Sequence, residues 1–324
     1  YLAIDQMAED IHQQLIQIYA ASGDRGAAMR QFETCAIILE RELGVEPLPE
    51  TRAVYERVQS GEITPQPAHH AKPIWTVLPS LDLPLIGRQE TWAELEKTYQ
   101  RLERGGVILI SGEPGVGKSR LLQEYATSKE RLVLSGNCHA STQSLPYQPL
   151  TQILRQALSL HQLWESIPPI WLTETSRLLP ELGEHFHDLP QLIDVEPDQA
   201  QARLYEALSR VILGLARNAS LLLCLDDLQW VDDATAGWLI YLANRLPGSD
   251  LCILATCRAE DKKAIKDLRD TYTRMNLLAE ISLPGLSHEA IRDMLAELSD
   301  PPVDSEMLVG RIASATGGNP FFVL

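Results

Sequence analysis

Apolar residues recur at helical spacing through the first part of the chain. Those from Ile11 to Tyr19 predict a helix, which ends at the turn Ser22-Gly23-Asp24. A second helix is predicted from Arg25 to Leu43, because Gly44 follows it as a terminating residue. A third helix is predicted from Pro49 to Val58. The chain is therefore predicted to begin with an all-helical segment.

Five residues of this segment have the register of a tetratricopeptide unit, in which small and aromatic side chains let two helices pack closely. They are Leu15, Tyr19, Ala28, Phe32 and Cys35. The same pattern also fits an ordinary helical hairpin. Because a single repeat cannot bury its own faces, the repeat interpretation implies earlier repeats upstream of this sequence.

The pattern changes after residue 60. Five prolines between residues 61 and 84 disfavour a helix and predict an extended linker. From residue 85 apolar strands alternate with helices, which predicts an α/β fold with a parallel sheet covered by helices. The predicted strands are Val107–Ser111, Leu132–Ser135, Leu221–Leu225 and Leu251–Thr256, and helices are predicted at Lys118–Thr127, through most of 146–217, and at Ser287–Leu298 and Ser305–Ala315.

These changes predict four segments. They are a tetratricopeptide-like helical segment at 1–60, a proline-rich linker at 61–84, an α/β core at 85–285 and the start of a small helical domain at 286–324. The chain lacks an initiator methionine and ends on apolar residues. We therefore expect it to be a piece of a larger protein.

Composition is that of a folded chain with two or more domains. Its 324 residues are 45% hydrophobic and 22% charged, and no apolar run is long enough to predict a membrane span. The net charge of −16 disfavours attraction to DNA or to an anionic membrane. Scattered cysteines without a CxxC pair predict reduced thiols in a cytoplasmic protein. These cysteines are Cys35, Cys138, Cys224, Cys252 and Cys257.

The strongest chemical signal is a match to the phosphate-binding pattern G-x-x-x-x-G-K-[ST] between a strand and a helix. The matching residues are Gly112, Glu113, Pro114, Gly115, Val116, Gly117, Lys118 and Ser119. The glycines let backbone N–H groups point at a phosphate, Lys118 would reach the β- and γ-phosphates, and Ser119 would bind Mg²⁺. We assign the next residue, Arg120, to nucleotide binding as well. A glycine turn that happens to precede a helix is the alternative.

Polar residues follow two of the predicted buried strands. Asp226 and Asp227 come directly after Leu221–Leu225, and parallel strands place their carboxyl ends at the edge where a phosphate loop opens. Asp226 would hold Mg²⁺ through water, and Asp227 would polarise the attacking water. A turn or a helix cap is the alternative for this acidic pair. Thr256 or Arg258 would read the γ-phosphate, with a surface salt bridge as the alternative for the arginine.

Other polar residues nearby have ordinary structural explanations. Asp232 and Asp233 are predicted to cap the helix Ala234–Leu246. Trp230 is predicted to pack rather than to stack on a base. His185-Phe186-His187-Asp188 lacks further ligands at suitable spacing, so we expect a surface loop there and no metal site.

Together these motifs resemble the AAA-type ATPase domain of STAND regulators, the signal-transduction ATPases with numerous domains. The resemblance covers residues 85–324 and is carried in order by Leu85–Glu90, Gly112–Ser119, Ser135–Cys138, Ser144–Leu150, Leu225–Asp232 and Thr316–Phe322. It implies ATP or ADP with Mg²⁺ as cofactors. It also implies that Gly87 and Arg88 flank the adenine and that Pro320 contacts the nucleotide from a helical lid domain.

The first 60 residues resemble the end of the bacterial transcriptional activator domain. The stretches that carry this likeness are Leu15–Tyr19, Ser22–Arg25, Gln31–Cys35 and Glu42–Pro47. The combination resembles SARP-like or AfsR-like transcriptional regulators, in which a winged-helix domain outside this chain would contact DNA. It implies a switch that is closed with ADP, and that opens and self-associates with ATP and an inducer. No arginine finger can be assigned, which implies slow hydrolysis.

Three other classes of protein fit the sequence less well. A replication-initiator or loader AAA+ ATPase needs a basic surface for DNA, against which the acidic balance argues. A small-molecule kinase has no use for the helical front end, and the Asn-Lys-x-Asp motif of a GTPase does not occur. A non-catalytic scaffold with a vestigial site is disfavoured by intact Lys118, Ser119, Asp226 and Asp227.

Overall fold

The structure is a computed structural model that describes residues 12–13, 16, 25–43, 45, 47–60, 84–192, 196–258, 263–298 and 306–324. It divides into two compact units, Tyr1–Ala71 and Lys72–Leu324. The predicted linker, apart from Pro84, and the turn Ser22-Gly23-Asp24 lie outside the described residues. Among the helices that are described, none is both long and apolar enough to cross a bilayer.

The N-terminal unit is built on two described helices, α1 at Arg25–Leu43 and α2 at Pro49–Ser60. Ala28 and Cys35, two residues of the predicted register, are buried on α1 together with Leu39. The ring of Phe32 stacks on that of Tyr55 with centroids 4.1 Å apart. Of the helix predicted before α1, the described residues include His12 and Ile16, both of which are buried. The apolar spacing is therefore confirmed on α1, whereas Ile11, Leu15 and Tyr19 of the preceding helix lie outside the described residues.

The second unit alternates strands with helices, as predicted. Its strands are β1 Gly106–Ser111, β2 Leu132–Asn137, β3 Leu221–Asp226, β4 Leu251–Cys257 and β5 Leu278–Ser282. Its helices are α3 Gln89–Leu102, α4 Lys118–Thr127, α5 Gln148–Leu158, α6 His161–Trp164, α7 Pro169–Thr175, α8 Leu182–His185, α9 Pro197–Ala219, α10 Asp233–Leu242, α11 Lys263–Arg274, α12 His288–Leu298, α13 Glu306–Thr316 and α14 Pro320–Val323.

All five strands form one parallel sheet in the order β2-β3-β4-β1-β5. The chain runs from β1 to the far edge at β2 and then returns strand by strand, crossing β1 on the way to β5. Right-handed crossovers place α4 on one face and the returning helices on the other. The direction of winding therefore reverses at β1, and ligands of such sheets bind at the carboxyl edge of that point.

Apolar cores cover both faces of the sheet. The smaller one packs α3 and α4 against alternate residues of the strands, among them Ile108, Ile110 and Leu254. The larger one packs the remaining helices as far as α11 against the opposite residues, among them Leu109 and Leu223. Because β1, β3 and β4 are buried on both faces, they consist of continuous apolar runs.

The edge strand β2 bonds to side chains of α5. The side-chain amide of Gln156 donates to the Ser135 carbonyl at 2.7 Å and accepts from the Ser135 N–H at 3.0 Å. Gln152, one turn earlier on α5, accepts from the Asn137 N–H at 2.9 Å. These glutamines satisfy backbone groups that have no neighbouring strand on this side.

The last three helices form a small lid with its own apolar cluster. Ala290, Ile291 and Met294 of α12 pack with Val309 and Ala313 of α13. The lid begins after β5 and closes back toward the carboxyl edge of the sheet. The Leu286 N–H donates a hydrogen bond of 2.6 Å to the Gly318 carbonyl. This hydrogen bond joins the beginning of the lid to the turn before α14.

The structure corrects two element predictions. The strand β5 was not predicted, because only Ile281 of its five residues is buried and the apolar pattern is weak. The helix predicted over Ala234–Leu246 ends at Leu242 and continues as a 3₁₀ turn, Ala243–Arg245. The proline at 247 explains the early end, since it disfavours helical backbone in the preceding residue.

The cap prediction at α10 holds. Asp232 is the N-cap and its carboxylate accepts from the Thr235 N–H at 2.8 Å, while Asp233 lies in the first turn. Asp232 also accepts from the Tyr147 N–H at 3.0 Å, so one buried carboxylate joins α10 to the start of α5. All five cysteines are buried thiols, and none of them is joined in a disulfide.

Replacing Asp232 by alanine should destabilise the protein by about 2–4 kcal/mol, because it removes a cap and leaves the Tyr147 N–H buried without its acceptor. Chemical denaturation followed by circular dichroism measures this. Asp233→Ala, a change at an exposed neighbour, is the control and should cost about 0.5 kcal/mol. Equal effects of the two substitutions would contradict the dual role of Asp232.

Candidate nucleotide-binding site

The phosphate-loop motif lies at the carboxyl end of β1 and runs directly into α4. Gly117, the N-cap of α4, has a φ of 98°, a backbone conformation that favours glycine. Gly115 has a φ of 81°, and a Cβ there would lie 2.8 Å from Cβ of Phe321. The first N–H groups of α4 have no partner within the helix. The loop therefore has the open backbone donors that an anion requires.

Lys118 is buried, and its ammonium is held by the loop itself. Its Nζ donates to the carbonyls of Gly112 at 3.0 Å and Glu113 at 2.7 Å. Burial lowers the pKa of Lys118, and the carboxylates of Asp227 and Asp226 oppose that shift. Lys118 is thus a cation held by the loop and influenced by two acids. From this position its charge would neutralise the charge of a bound phosphate chain.

Three oxygen-bearing side chains converge beside Lys118. The Ser119 hydroxyl donates to Oδ1 of Asp226 at 3.0 Å, and the buried Thr256 hydroxyl donates to the same oxygen. Burial raises the pKa of Asp226, while the hydrogen bonds from Thr256 and Ser119 act in the opposite direction. The first turn of α4 and the ends of β3 and β4 therefore supply a hydroxyl and carboxylate set of the type that binds Mg²⁺.

Asp227 follows β3 in a left-handed backbone conformation, with a φ of 55°. Its N–H donates to the Thr256 hydroxyl at 2.9 Å and to the Asp226 carboxylate at 3.1 Å. Its Oδ1 accepts from Nε2 of Gln229 at 2.8 Å. The acid predicted to polarise water is consequently fixed at both its backbone and its side chain.

Arg258 follows β4 and lies near these acids without an ion pair to them in the described part of the chain. Its guanidinium sits over the ring of Trp230, 5.5 Å from the centroid. Its backbone N–H donates to Oε1 of Gln229 at 3.1 Å. Trp230 thus contacts a cation as well as the core.

Arg88 binds two backbone carbonyls through its guanidinium. Its guanidinium donates to the Val116 carbonyl in the phosphate loop at 2.8 Å and to the Pro284 carbonyl at 2.6 Å. Burial lowers the pKa of Arg88. Gly87 packs against Ala290 of the lid. The segment expected to flank the adenine therefore also ties the loop to the lid.

A cavity opens between the phosphate loop and the lid. It is lined by Pro84, Leu85, Ile86, Arg88, Val116, Gly117, Arg120, Leu286, Met294 and Pro320. Its walls are mainly apolar, which suits a heteroaromatic base. The structure brings the predicted Arg88, Arg120 and Pro320 to one cavity next to the loop, whereas Gly87 is not part of its lining.

Asn319 is a site residue that the sequence reasoning missed. Its Nδ2 donates to the Pro114 carbonyl in the phosphate loop at 2.8 Å, and its Oδ1 accepts from the Phe321 N–H at the start of α14. The side chain is buried. An asparagine directly before a proline is a favoured N-cap arrangement, which signals the cap but not the contact with Pro114.

One further prediction concerns the segment 185–188, where a surface loop was expected. His185 ends α8 and its ring stacks on that of His161, with centroids 5.0 Å apart. Across the described residues, no group of three or more histidine, cysteine or acidic side chains could hold a metal ion.

The residues present fit a nucleotide with Mg²⁺. A cradle of backbone N–H groups and a buried lysine match a phosphate chain, and Ser119 with Asp226 matches a divalent cation. The apolar cavity beside Pro320 matches a base. A parallel sheet with such a loop at the strand where its winding reverses defines the class of phosphate-loop nucleotide-binding proteins.

Comparison with models of protein families supports this class. The sequence profile of the AAA ATPase domain matches residues 84–254, just over half of the chain, and the chain belongs to this family. The profile of the bacterial transcriptional activator domain matches residues 1–59. The two family models that match are thus the two that its motifs resemble. No curated protein matches the chain at a significant level.

Solved structures that match this chain include a Signal Transduction ATPase with Numerous Domains (STAND) protein with a tetratricopeptide repeat sensor from Pyrococcus horikoshii. It is 16% identical over 76% of this chain and 30% of its own, with a TM-score of 0.41. The ORC2 protein of Aeropyrum pernix is 16% identical over 76% of this chain and 61% of its own, with a TM-score of 0.44. This chain thus spans less than two thirds of either protein. Domain III of the Thermotoga maritima replication initiation protein DnaA is 12% identical over 76% of this chain and 80% of its own, with a TM-score of 0.35.

Lys118→Ala should weaken the binding of Mg·ATP roughly 10- to 150-fold, since the lost interaction is a charge-assisted hydrogen bond to phosphate. Isothermal titration calorimetry measures the affinity. Lys97→Ala, which removes an exposed lysine of α3, is the matched control and should bind as wild type does. Unchanged affinity in Lys118→Ala would show that phosphates do not bind at this loop.

Proposed function

We propose that the chain is the ATP-dependent switch module of a bacterial transcriptional regulator, which hydrolyses ATP slowly in the cytoplasm. Nucleotide and Mg²⁺ bind at the phosphate loop, and the helical unit connects the switch to a DNA-binding domain outside this chain. The nucleotide state then controls self-association through the ATPase domain, under an inducer that the sequence does not identify. No membrane takes part.

One observation carries this proposal: the phosphate loop is fastened directly to the lid. Asn319 bonds to the Pro114 carbonyl at 2.8 Å, and Arg88 bonds both the Val116 carbonyl and the Pro284 carbonyl between β5 and the lid. A change in the loop on nucleotide binding must alter these contacts. Because a ligand shifts a conformational equilibrium only by binding one state better, such shared contacts are what a switch needs.

The chain's own residues supply the chemistry of hydrolysis. Lys118 neutralises the β- and γ-phosphates and would exchange its bonds to loop carbonyls for bonds to phosphate oxygens. Ser119 and Asp226 would hold Mg²⁺, which when bound neutralises charge on the phosphates. Asp227 accepts a hydrogen bond from the attacking water and orients it. Thr256 and Arg258 lie at the end of β4, where the γ-phosphate would be read.

The two domains together favour a regulator over the other classes. An activator domain joined to an AAA ATPase domain links a nucleotide site to a transcription protein. The net charge of −16 is unfavourable for a replication initiator or loader that grips DNA with this domain. A non-catalytic scaffold would keep nucleotide binding and lack turnover, which the next experiment distinguishes.

Asp227→Asn should leave the affinity for Mg·ATP within about threefold of wild type and lower the rate of hydrolysis at least roughly 100-fold, because water loses its carboxylate acceptor. Asparagine also tolerates the left-handed backbone at this position. Single-turnover release of labelled phosphate measures the rate, with exposed Asp233→Asn as the control. Turnover that survives in Asp227→Asn would exclude this residue as the water-orienting group. Wild-type binding without any turnover would favour the scaffold.

Asn319→Ala should speed the release of ADP roughly 2- to 10-fold, since it removes one hydrogen bond between lid and loop. Stopped-flow displacement of a fluorescent ADP measures the rate. Asn218→Ala is the matched control, because Asn218 also donates to a backbone carbonyl, that of Leu163, at 2.9 Å. Equal release rates in wild type and Asn319→Ala would show that the contact between Asn319 and the phosphate loop plays no part in the switch.

A further inference from the structure

Gln229 is a buried glutamine next to the proposed site of hydrolysis. It lies in the 3₁₀ turn Leu228–Trp230, immediately after the acidic pair, and its side chain is only 4% exposed. Its Nε2 donates to Oδ1 of Asp227 at 2.8 Å, and its Oε1 accepts from the Arg258 N–H at 3.1 Å. Both ends of its amide are thus engaged.

The chemistry of the two partners determines the residue type that this position needs. A carboxylate can only accept, and a backbone N–H can only donate, so the group between them must present one donor and one acceptor. A glutamine amide does so in one orientation only. A glutamate would keep the bond to Arg258 and lose the donor toward Asp227. A methionine of similar length would lose both bonds.

Gln229 also completes a connection between the ends of β3 and β4. Asp227 is already joined to β4 through its N–H, which donates to Thr256 at 2.9 Å. The glutamine adds a second tie, from the Asp227 carboxylate to the residue after β4. The direction of that carboxylate therefore depends on the end of β4.

We propose, on the basis of the proposed function, that Gln229 is a positioning residue for ATP hydrolysis, which holds the carboxylate of Asp227 in the orientation that engages water. It acts through Asp227 and does not itself touch the nucleotide. An acid that rotates freely would present its oxygen to water for only part of the time, and enzymes gain rate by fixing such groups in advance.

The test separates the rate of hydrolysis from nucleotide affinity. Gln229→Met and Gln229→Glu should both lower kcat roughly 10-fold or more, with the Kd for Mg·ATP within about threefold of wild type. Gln156→Met is the matched control, because Gln156 also uses both ends of its amide, on the Ser135 backbone, away from Asp227. Its kcat should equal that of wild type. Denaturation midpoints identify any general loss of stability.

A double-substitution cycle tests whether Gln229 acts through Asp227. Gln229→Met should change the residual rate of Asp227→Asn less than about twofold, whereas a structural role would reduce both backgrounds equally. A wild-type kcat in Gln229→Glu beside a low kcat in Gln229→Met would overturn the proposal, because the bond to Arg258 would then be the one that matters.

Failure of this proposal is distinguishable from failure of the proposed function. A wild-type kcat in Gln229→Met, in a protein that loses ATP binding on Lys118→Ala, overturns the role of Gln229 and leaves the nucleotide switch in place. A wild-type protein that neither binds nor hydrolyses ATP overturns both.

Discussion

The site depends on the parallel pairing of β1, β3 and β4. Ser111 at the end of β1 is level with Cys257 at the end of β4, and Leu225 of β3 is level with Ala255. That register brings the phosphate loop, the acidic pair and Thr256 to one edge within hydrogen-bonding distance. Apolar burial on both faces holds the strands in this pairing, so the alignment of the polar groups is a consequence of core packing.

How much of this arrangement could be predicted depends on the range of the interaction. The phosphate loop and the acidic pair were predictable, because each is a short motif beside an apolar strand. The bond from Asn319 to Pro114 joins residues 205 positions apart, and that from Arg88 to Val116 joins residues 28 apart. Such contacts depend on how the lid folds back over the sheet, and no local pattern encodes that geometry.

The role of Arg88 illustrates the same limit from the opposite side. Its position in the segment before α3 was recognised, and it does line the cavity beside the loop. Its guanidinium, however, is occupied by two backbone carbonyls. A sequence motif can place a residue near a ligand, but only three-dimensional contacts separate a residue that touches the ligand from one that holds the walls of its site together. The role of Gln229 could not be predicted from the sequence either, because the pairing of β3 and β4 brings its partners Asp227 and Arg258 together.

The side-chain amides that cover β2 have a consequence for assembly. An uncovered edge of a parallel sheet offers backbone donors and acceptors to any extended segment, including the same strand of another copy. Gln152 and Gln156 already occupy those groups at Ser135 and Asn137. Pairing of foreign strands along this part of the edge would have to break three hydrogen bonds first. This part of the β2 edge is thereby protected from the strand-by-strand growth that leads to aggregation.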